Sequence, residues 1–260
     1  MGRTRKEQQK DFVMRTSIKA LLASTLLAAG LAATPAFAQE EAASDFTVTG
    51  NVAAVTDYRF RGISLSGGDF AVQGSIGVSH SSGFYVGAWA SSLEDSPVYG
   101  STELDVYGGW TGEVTSGLTF DGGLLYYVYP NGDVGKANVY EPYASLSAGV
   151  GPATAKVGVA YAWKQDSLGG DDNLYVYGEL SGAIPETPIS LSAHLGYTDG
   201  ALSPKLLTGE STKGGFDYNV GATYNVTDKL AVGVSYVGVD GASIDSFSND
   251  AVVGTIKLSF

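Results

Sequence analysis

The chain contains no cysteine and few basic residues, and both scarcities exclude classes of protein. Without cysteine it can have neither a disulfide framework nor a thiolate metal site, although it remains compatible with an oxidising compartment. Its 15 lysines and arginines are outnumbered by 27 aspartates and glutamates, which gives a formal net charge of −12. Because an acidic chain repels the phosphate backbone, we expect no nucleic-acid partner.

A long apolar run is also missing. The apolar run at 20–33 carries no charge and spans 14 residues, whereas a membrane-spanning helix needs about 20. A short basic region beginning at Met14 precedes this run, and the small residues Ala36 and Ala38 follow it. This is the three-part pattern of a secretory signal peptide. We therefore predict that residues 1–38 are a signal peptide cleaved after Ala38, with the true start at Met14; an uncleaved membrane anchor is the alternative.

Removal of residues 1–38 takes away six basic and two acidic residues and leaves a net charge of −16 for residues 39–260. No segment of this remainder is apolar enough to cross a membrane as a helix. In lipid, only a helix or a closed β-barrel satisfies its own backbone hydrogen bonds. If the mature chain resides in a membrane, it must therefore be a closed barrel.

Glycine and aromatic residues are abundant, with 36 glycines, 16 tyrosines and 10 phenylalanines, a composition that suits short strands joined by tight turns. Apolar and polar residues alternate with period two, most clearly over 189–198, and this period is typical of strands with one buried face. About twelve such runs follow one another, each roughly the length that a tilted strand needs to cross a bilayer. We predict strands at 46–56, 70–80, 84–92, 102–114, 118–129, 138–149, 153–164, 173–184, 189–198, 215–226, 230–239 and 250–260.

The connections between these runs are alternately short and long, which is typical of outer-membrane barrels with short periplasmic turns and longer extracellular loops. The predicted fold class is therefore an all-β, transmembrane, antiparallel up-and-down β-barrel of about 12 strands. It occupies 46–260, and 39–45 form a short N-terminal lead. A soluble β-sandwich would share the period of two, but it would not explain the alternating loop lengths or the strongly polar strand faces.

The last strand ends on an aromatic residue, with Ile256, Leu258 and Phe260 on one face. Such an end looks like the terminal strand that outer-membrane proteins present to the barrel-assembly machinery. We therefore expect that machinery, outer-membrane lipid and lipopolysaccharide as partners, and the sequence leaves the oligomeric state open.

The polar faces of the predicted strands carry mostly acidic residues. The alternation directs seven carboxylates and three lysines inward, so that the predicted wall is net acidic by four charges. The predicted inward carboxylates are Glu103, Asp105, Glu113, Asp121, Glu141, Glu179 and Asp217, and the predicted inward lysines are Lys156, Lys164 and Lys257. Seven tyrosines fall on the same faces and could fill the lumen against inward glycines: Tyr85, Tyr107, Tyr127, Tyr129, Tyr143, Tyr175 and Tyr177.

Two arginines interrupt this acidic pattern after the first strand. Arg59 and Arg61 share a face and flank Phe60. One interpretation is that both point into the pore mouth and pair with acidic residues of the wall. The other is that they form ordinary ion pairs at the base of a loop, and the sequence does not separate the two.

No catalytic constellation is evident. His80 falls at a predicted turn, and His194 lies beside Ser192 on a polar strand face. A Ser–His pair can support acyl transfer, but no serine has a nucleophile motif around it. Motifs for metal or phosphate binding are also missing. We therefore predict no catalytic residue, no metal site and no cofactor, and we interpret both histidines as polar residues of the lumen or rim.

Several motifs occur in a characteristic order. The first is Asp57-Tyr-Arg-Phe-Arg-Gly-Ile-Ser64, and Gln73-Gly74, Gly83-Phe-Tyr-Val-Gly-Ala-Trp-Ala-Ser91 and Glu103-Leu-Asp-Val-Tyr-Gly-Gly109 follow it. Together they resemble the TorF-type porin family, a proteobacterial group without an assigned substrate. The resemblance extends over about 46–260, with Tyr140-Glu-Pro-Tyr143 and Leu191-Ser-Ala-His-Leu-Gly-Tyr197 further along. It implies an outer-membrane barrel and a porin-like role, and it implies no particular solute.

Together these observations predict a passive outer-membrane channel for small solutes or ions, which prefers cations because its wall is acidic. A closed structural or adhesive barrel without an open pore is the alternative from another class. A barrel enzyme acting on lipid is a third and weaker one.

Overall fold

The computed structural model describes residues 44–260, so the predicted signal peptide lies outside the described residues. Within 44–260, fourteen strands and two short helical segments form. The strands are β1 (Phe46–Val55), β2 (Arg59–Phe60), β3 (Ile63–Ser64), β4 (Ala71–His80), β5 (Phe84–Ser92), β6 (Thr102–Thr115), β7 (Leu118–Val128), β8 (Val139–Val150), β9 (Ala153–Ala162), β10 (Asn173–Ala183), β11 (Ile189–Gly200), β12 (Gly214–Asn225), β13 (Leu230–Val239) and β14 (Ala251–Ser259). A 3-10 helix covers Asp166–Leu168, and α1 covers Pro204–Leu207.

Twelve of these strands close into one antiparallel barrel in the order β1-β14-β13-β12-β11-β10-β9-β8-β7-β6-β5-β4. Each barrel strand pairs with its neighbour along the chain, and the first and last pair with each other from Asn51↔Ser259 to Val55↔Thr255. Closure gives every barrel strand a paired neighbour on both sides, so that the sheet has no free edge strand. The predicted fold class and strand number are confirmed, and no predicted strand boundary differs from the observed one by more than two residues.

The outer face of the barrel is apolar and exposed, the reverse of a soluble protein. Val48, Ile76, Val220 and Ile256 are each more than half exposed, whereas buried residues concentrate on the alternate positions, which face the lumen. Outward aromatic residues are frequent toward both ends of the strands. Near the end with short turns they are Phe46, Phe84, Trp110, Phe120, Tyr224 and Phe260, and near the end with long loops they are Phe70, Tyr126, Tyr140, Tyr161, Trp163, Tyr197, Phe216 and Tyr236.

The connections alternate in length as the sequence predicted, so that all long loops lie at one end of the barrel. In one of them Ser203 starts α1: its side chain accepts a hydrogen bond from the Leu206 amide, and Pro204 follows in the first turn, both of which are favourable at a helix N-terminus. Within residues 44–260, no helix is long and apolar enough to cross a membrane.

Inward tyrosines pack on glycines of the neighbouring strand. Tyr107 is the register partner of Gly87, and a Cβ atom added to Gly87 would lie 2.4 Å from its ring. Tyr177 covers Gly158 in the same way, with a closest approach of 2.3 Å. The rings therefore lie along the wall, on positions where only glycine leaves room for them, and they do not simply fill the middle of the lumen.

Candidate functional site

The connection between β1 and β4 turns into the barrel. Residues 57–66, which we call the inner hairpin, contain β2 and β3, paired through Arg59↔Ser64 and Phe60↔Ile63. Its turn consists of Arg61 and Gly62, with φ angles of 47° and 81°. Two consecutive positive φ angles are typical of tight hairpin turns. A Cβ atom on Gly62 would lie only 2.3 Å from Val239 of the wall, so this turn touches the lumen surface closely.

Asp57 holds the base of the inner hairpin together. Its carboxylate accepts hydrogen bonds from Arg59 Nε at 2.6 Å and from the hydroxyls of Ser64 and Ser66 at 2.6 and 3.2 Å. Nη1 of Arg59 also donates to the carbonyl oxygen of Asn249 at 2.6 Å. Arg59 therefore forms an ion pair within its own loop. This agrees with the interpretation of Arg59 as part of an ordinary ion pair at the base of a loop.

Arg61 instead reaches the barrel wall. Its Nη2 donates to both carboxylate oxygens of Glu141, at 2.9 and 2.8 Å, and its guanidinium lies 4.0 Å from the ring centroid of Tyr175. Burial would lower the pKa of Arg61, but the neighbouring carboxylate outweighs it and raises that pKa above its ordinary value. The arginine therefore stays charged. The hydroxyl of Tyr127 donates to Glu141 at 2.9 Å, so the pair is fixed from both sides.

Aromatic contacts add to this attachment. Phe60 meets Tyr127 edge to face, with ring centroids 5.8 Å apart, and Tyr58 packs on Trp89 at 5.3 Å. Burial, with Glu103 as the next contribution, raises the pKa of Tyr58 well above its ordinary value. Its hydroxyl is therefore neutral and remains a hydrogen-bond donor.

Two carboxylates of β6 lie beneath the inner hairpin. Glu103 is 1% exposed and Asp105 is 4% exposed. The hydroxyl of Tyr129 lies 3.4 Å from Oε1 of Glu103, whereas Oε2 of Glu103 and Oδ1 of Asp105 have no hydrogen-bond partner. Asp105 is paired in register with Trp89 on β5.

A second charged cluster crosses the wall from β9 to β12. Lys156 lies 3.6 Å from Glu179, whose other oxygen lies 3.3 Å from Nδ1 of His194. Nε2 of His194 lies 3.0 Å from Asp217 and 2.7 Å from the hydroxyl of Tyr175. The contacts of His194 are thus with carboxylates and a phenol, and the hydroxyl of Ser192 is not among them.

The remaining predicted residues lie apart from this centre. Glu113 is exposed near a short turn and accepts a hydrogen bond from the Gly117 amide at 2.9 Å. Asp121 accepts one from Tyr85 at 2.5 Å. Lys257 is buried on β14. Lys164, expected on the wall, lies beyond the end of β9 in an exposed loop, because that strand ends two residues earlier than predicted.

A cavity of about 90 Å³ lies between the inner hairpin and the wall. Its lining includes Tyr58, Arg59, Asp105, His194, Asp217 and Asn219. This volume has room for several water molecules, since one water needs about 10–15 Å³. Among residues 44–260, no three histidine, aspartate or glutamate side chains converge as a metal centre.

The sequence did not reveal that the first long connection folds inward. Gly62, which follows an alternation of charged and aromatic residues, is a local signal that could have predicted a tight turn. The depth of that turn depends on wall residues far away in the chain. Tyr127, Tyr175 and Asn249, which hold the inner hairpin, carry no local signal that would have identified them.

The fold and its polar lumen define the class: a porin-like β-barrel. The barrel resembles that of the KdgM porin, solved in complex with disordered oligogalacturonate, with a TM-score of 0.54, 11% identity, and coverage of 82% of this chain and 98% of that chain. It also resembles a protein solved in work on in-meso crystallization of membrane proteins, with a TM-score of 0.53, 7% identity, and coverage of 82% of this chain and 83% of that one. At such low identity these similarities show the fold alone.

The chain belongs to the Gcw_chp family, described as a bacterial protein of unknown function, whose model matches residues 39–260. No curated protein matches the chain. The resemblance to the TorF-type group stays a prediction, because the family description does not name that group.

Proposed function

We propose that this protein is an outer-membrane channel for the passive passage of small solutes or ions, narrowed by its inner hairpin. The proposal rests on a closed barrel with a polar lumen. One loop enters this lumen and fills only part of it. The porin-like fold supports the same function. The contact of Arg61 with Glu141 keeps the narrowing at a defined position.

The outer face supports a position in the outer membrane. Exposed aliphatic residues cover its middle and aromatic residues border it at both ends, as in transmembrane barrels. In this position the short turns face the periplasm. Export depends on the predicted signal peptide, and N-terminal sequencing should show that the mature protein begins at Gln39. We further propose that Ile256, Leu258 and Phe260, all exposed on the outer face, contact lipid and the assembly machinery.

We propose a preference for cations because the narrow part of the lumen has an excess of carboxylates. Arg61 and Arg59 are each occupied by one carboxylate. Within the described part of the chain, Glu103 and Asp105 form no ion pair. Buried carboxylates along a narrow passage raise the local concentration of cations and exclude anions.

A closed structural barrel remains the second candidate, and the small volume beneath the inner hairpin favours it. An enzymatic role is less favoured, because His194 is held by Glu179, Asp217 and Tyr175 instead of a serine nucleophile. We therefore propose that the protein is not an enzyme.

Conductance of the purified mature protein in planar bilayers tests the proposal. A channel should give discrete steps in the unmodified protein, and replacing 59–64 by a short flexible linker should enlarge them. A variant that shortens the exposed loop at 131–136 by the same number of residues is the control, and its conductance should stay unchanged. If only the variant lacking the inner hairpin conducts, or if neither protein conducts, the closed barrel replaces the channel as the proposed function.

A further inference from the structure

Two neighbouring carboxylates in the lumen are buried without a counter-charge. Glu103 and Asp105 are consecutive inward residues of β6 and are almost fully buried, and one oxygen of each has no hydrogen-bond partner. Removing a carboxylate from water is costly unless it is paired, hydrogen-bonded or bound to a cation. This arrangement therefore requires either a proton or a bound cation to remove the cost of the buried charge.

The cationic side chains of the inner hairpin do not provide that balance. Arg61 is committed to Glu141 and Arg59 to Asp57, at 2.8 and 2.6 Å. In residues 44–260, no ion pair reaches either Glu103 or Asp105. The guanidinium groups thus neutralise other carboxylates and leave an excess of negative charge beneath the inner hairpin.

Asp105 also faces a space of suitable size. It lines the cavity beneath the inner hairpin, and Asp217 lines the same cavity. Asp217 is 3% exposed, and its Oδ2 has no hydrogen-bond partner. Buried carboxylate oxygens without a hydrogen-bond partner, on residues that line a partly open cavity, indicate a ligand of positive charge.

We propose that Asp105, which lines this cavity, binds a hard divalent cation of the magnesium or calcium type together with its neighbour Glu103, and that the ion keeps part of its water shell. Carboxylate and water oxygens are the ligands that such ions prefer. Magnesium commonly binds through only one or two carboxylates and retains several waters. This fits a site in which no third acidic side chain converges. The site rests on the lumen of the proposed channel and adds a bound ion to it.

Trp89 provides a reporter for this site. It is the register partner of Asp105 and lines the same cavity. The chain has three tryptophans, and the other two, Trp110 and Trp163, lie on the outer face. In a Trp110→Phe, Trp163→Phe background, the emission of Trp89 should change saturably when calcium or magnesium chloride is added at constant ionic strength.

The double variant Asp105→Asn, Glu103→Gln should abolish this saturable change. Glu113→Gln, which removes an exposed carboxylate from the other end of the same strand, should retain it. Anomalous migration of unboiled protein on a denaturing gel reports whether the double variant forms the barrel. If it does not, the single variant Asp105→Asn is tested instead, and it should weaken the saturable change in Trp89 emission. No saturable change in the parent, or an equal change in Asp105→Asn, would overturn the site.

This measurement does not depend on conduction. A barrel that binds the ion but never conducts would remove the proposed channel and leave the site. A barrel that conducts but shows no saturable response would remove the site and leave the channel.

Discussion

At the scale of single residues, the contact between Arg61 and Glu141 joins the inner hairpin to the wall across 80 positions of sequence. Removing one partner leaves a buried charge behind, whereas removing both leaves only a smaller change in packing. The effects of the two single substitutions on the free energy of unfolding should therefore not be additive.

We predict that Arg61→Gln lowers the free energy of unfolding by about 3–5 kcal/mol, because Glu141 then stays buried without its cation. The double variant Arg61→Gln, Glu141→Gln should lose less than the sum of the single variants. Urea unfolding of the barrel in lipid vesicles measures all three. Strictly additive losses would mean that the ion pair contributes nothing of its own.

A second prediction at this scale concerns ion selectivity. Changing Glu103, Asp105 and Glu141 to Gln, Asn and Gln should reduce the cation preference, because the narrow part of the lumen loses its carboxylates. Loss of Glu141 also leaves Arg61 uncompensated, which should lower that preference further. The reversal potential under a salt gradient measures the effect. An anion preference in the unmodified protein, or no change in the triple variant, would contradict the proposal.

At the scale of elements, the inner hairpin depends on one glycine. Gly62 has a φ angle of 81° and no room for a Cβ atom beside Val239. Gly117 has a similar φ angle of 76° but nothing within 4 Å of such an atom. The two glycines therefore separate backbone strain from collision with the wall.

We predict that Gly62→Ala displaces the inner hairpin and makes Arg59 and Arg61 accessible to trypsin, although both are buried in the unmodified protein. Gly117→Ala should leave them protected, because it introduces only the backbone strain. Mass spectrometry of the tryptic fragments identifies the cut. Equal protection in both variants would mean that the close approach of Gly62 does not hold the inner hairpin in place.

The strands and loops also show how much of the fold could be predicted from the sequence. The strands were predicted to within two residues, because the alternation that defines them is local. The inward course of the inner hairpin was not, because the pattern of 57–66 is equally compatible with an exposed loop. Arg59 and Arg61 also have different ion-pair partners, because the turn directs the side chain of Arg59 back to Asp57 and that of Arg61 to Glu141.

At the scale of the whole molecule, the barrel has two faces with opposite requirements. Val220 and Asn219 are adjacent on β12, one exposed outside and the other buried inside. Val220→Arg should destabilise the barrel by about 2–4 kcal/mol, because it places a charge in lipid at mid-strand. Asn219→Arg should instead alter conductance, because it changes the size and charge of the lumen.

Urea unfolding in vesicles and conductance together check this prediction. Equal loss of stability from both changes would contradict the assigned alternation. Unboiled protein should also migrate anomalously on a denaturing gel, because the closed set of backbone hydrogen bonds resists detergent. Gly158, also on the inner face, is a poor control, because any side chain there would collide with Tyr177.

The sequence by itself determined the number of barrel strands, their limits and the alternation of short and long loops, since each follows from the identity and spacing of neighbouring residues. Only the tertiary structure decided where the first loop goes and which charges meet. Glu141 reaches Arg61 because barrel closure and strand register bring distant residues to the same height in one lumen. Glu103 and Asp105 remain without a counter-charge because the inner hairpin covers them while its arginines bind other carboxylates, an outcome that no local pattern encodes.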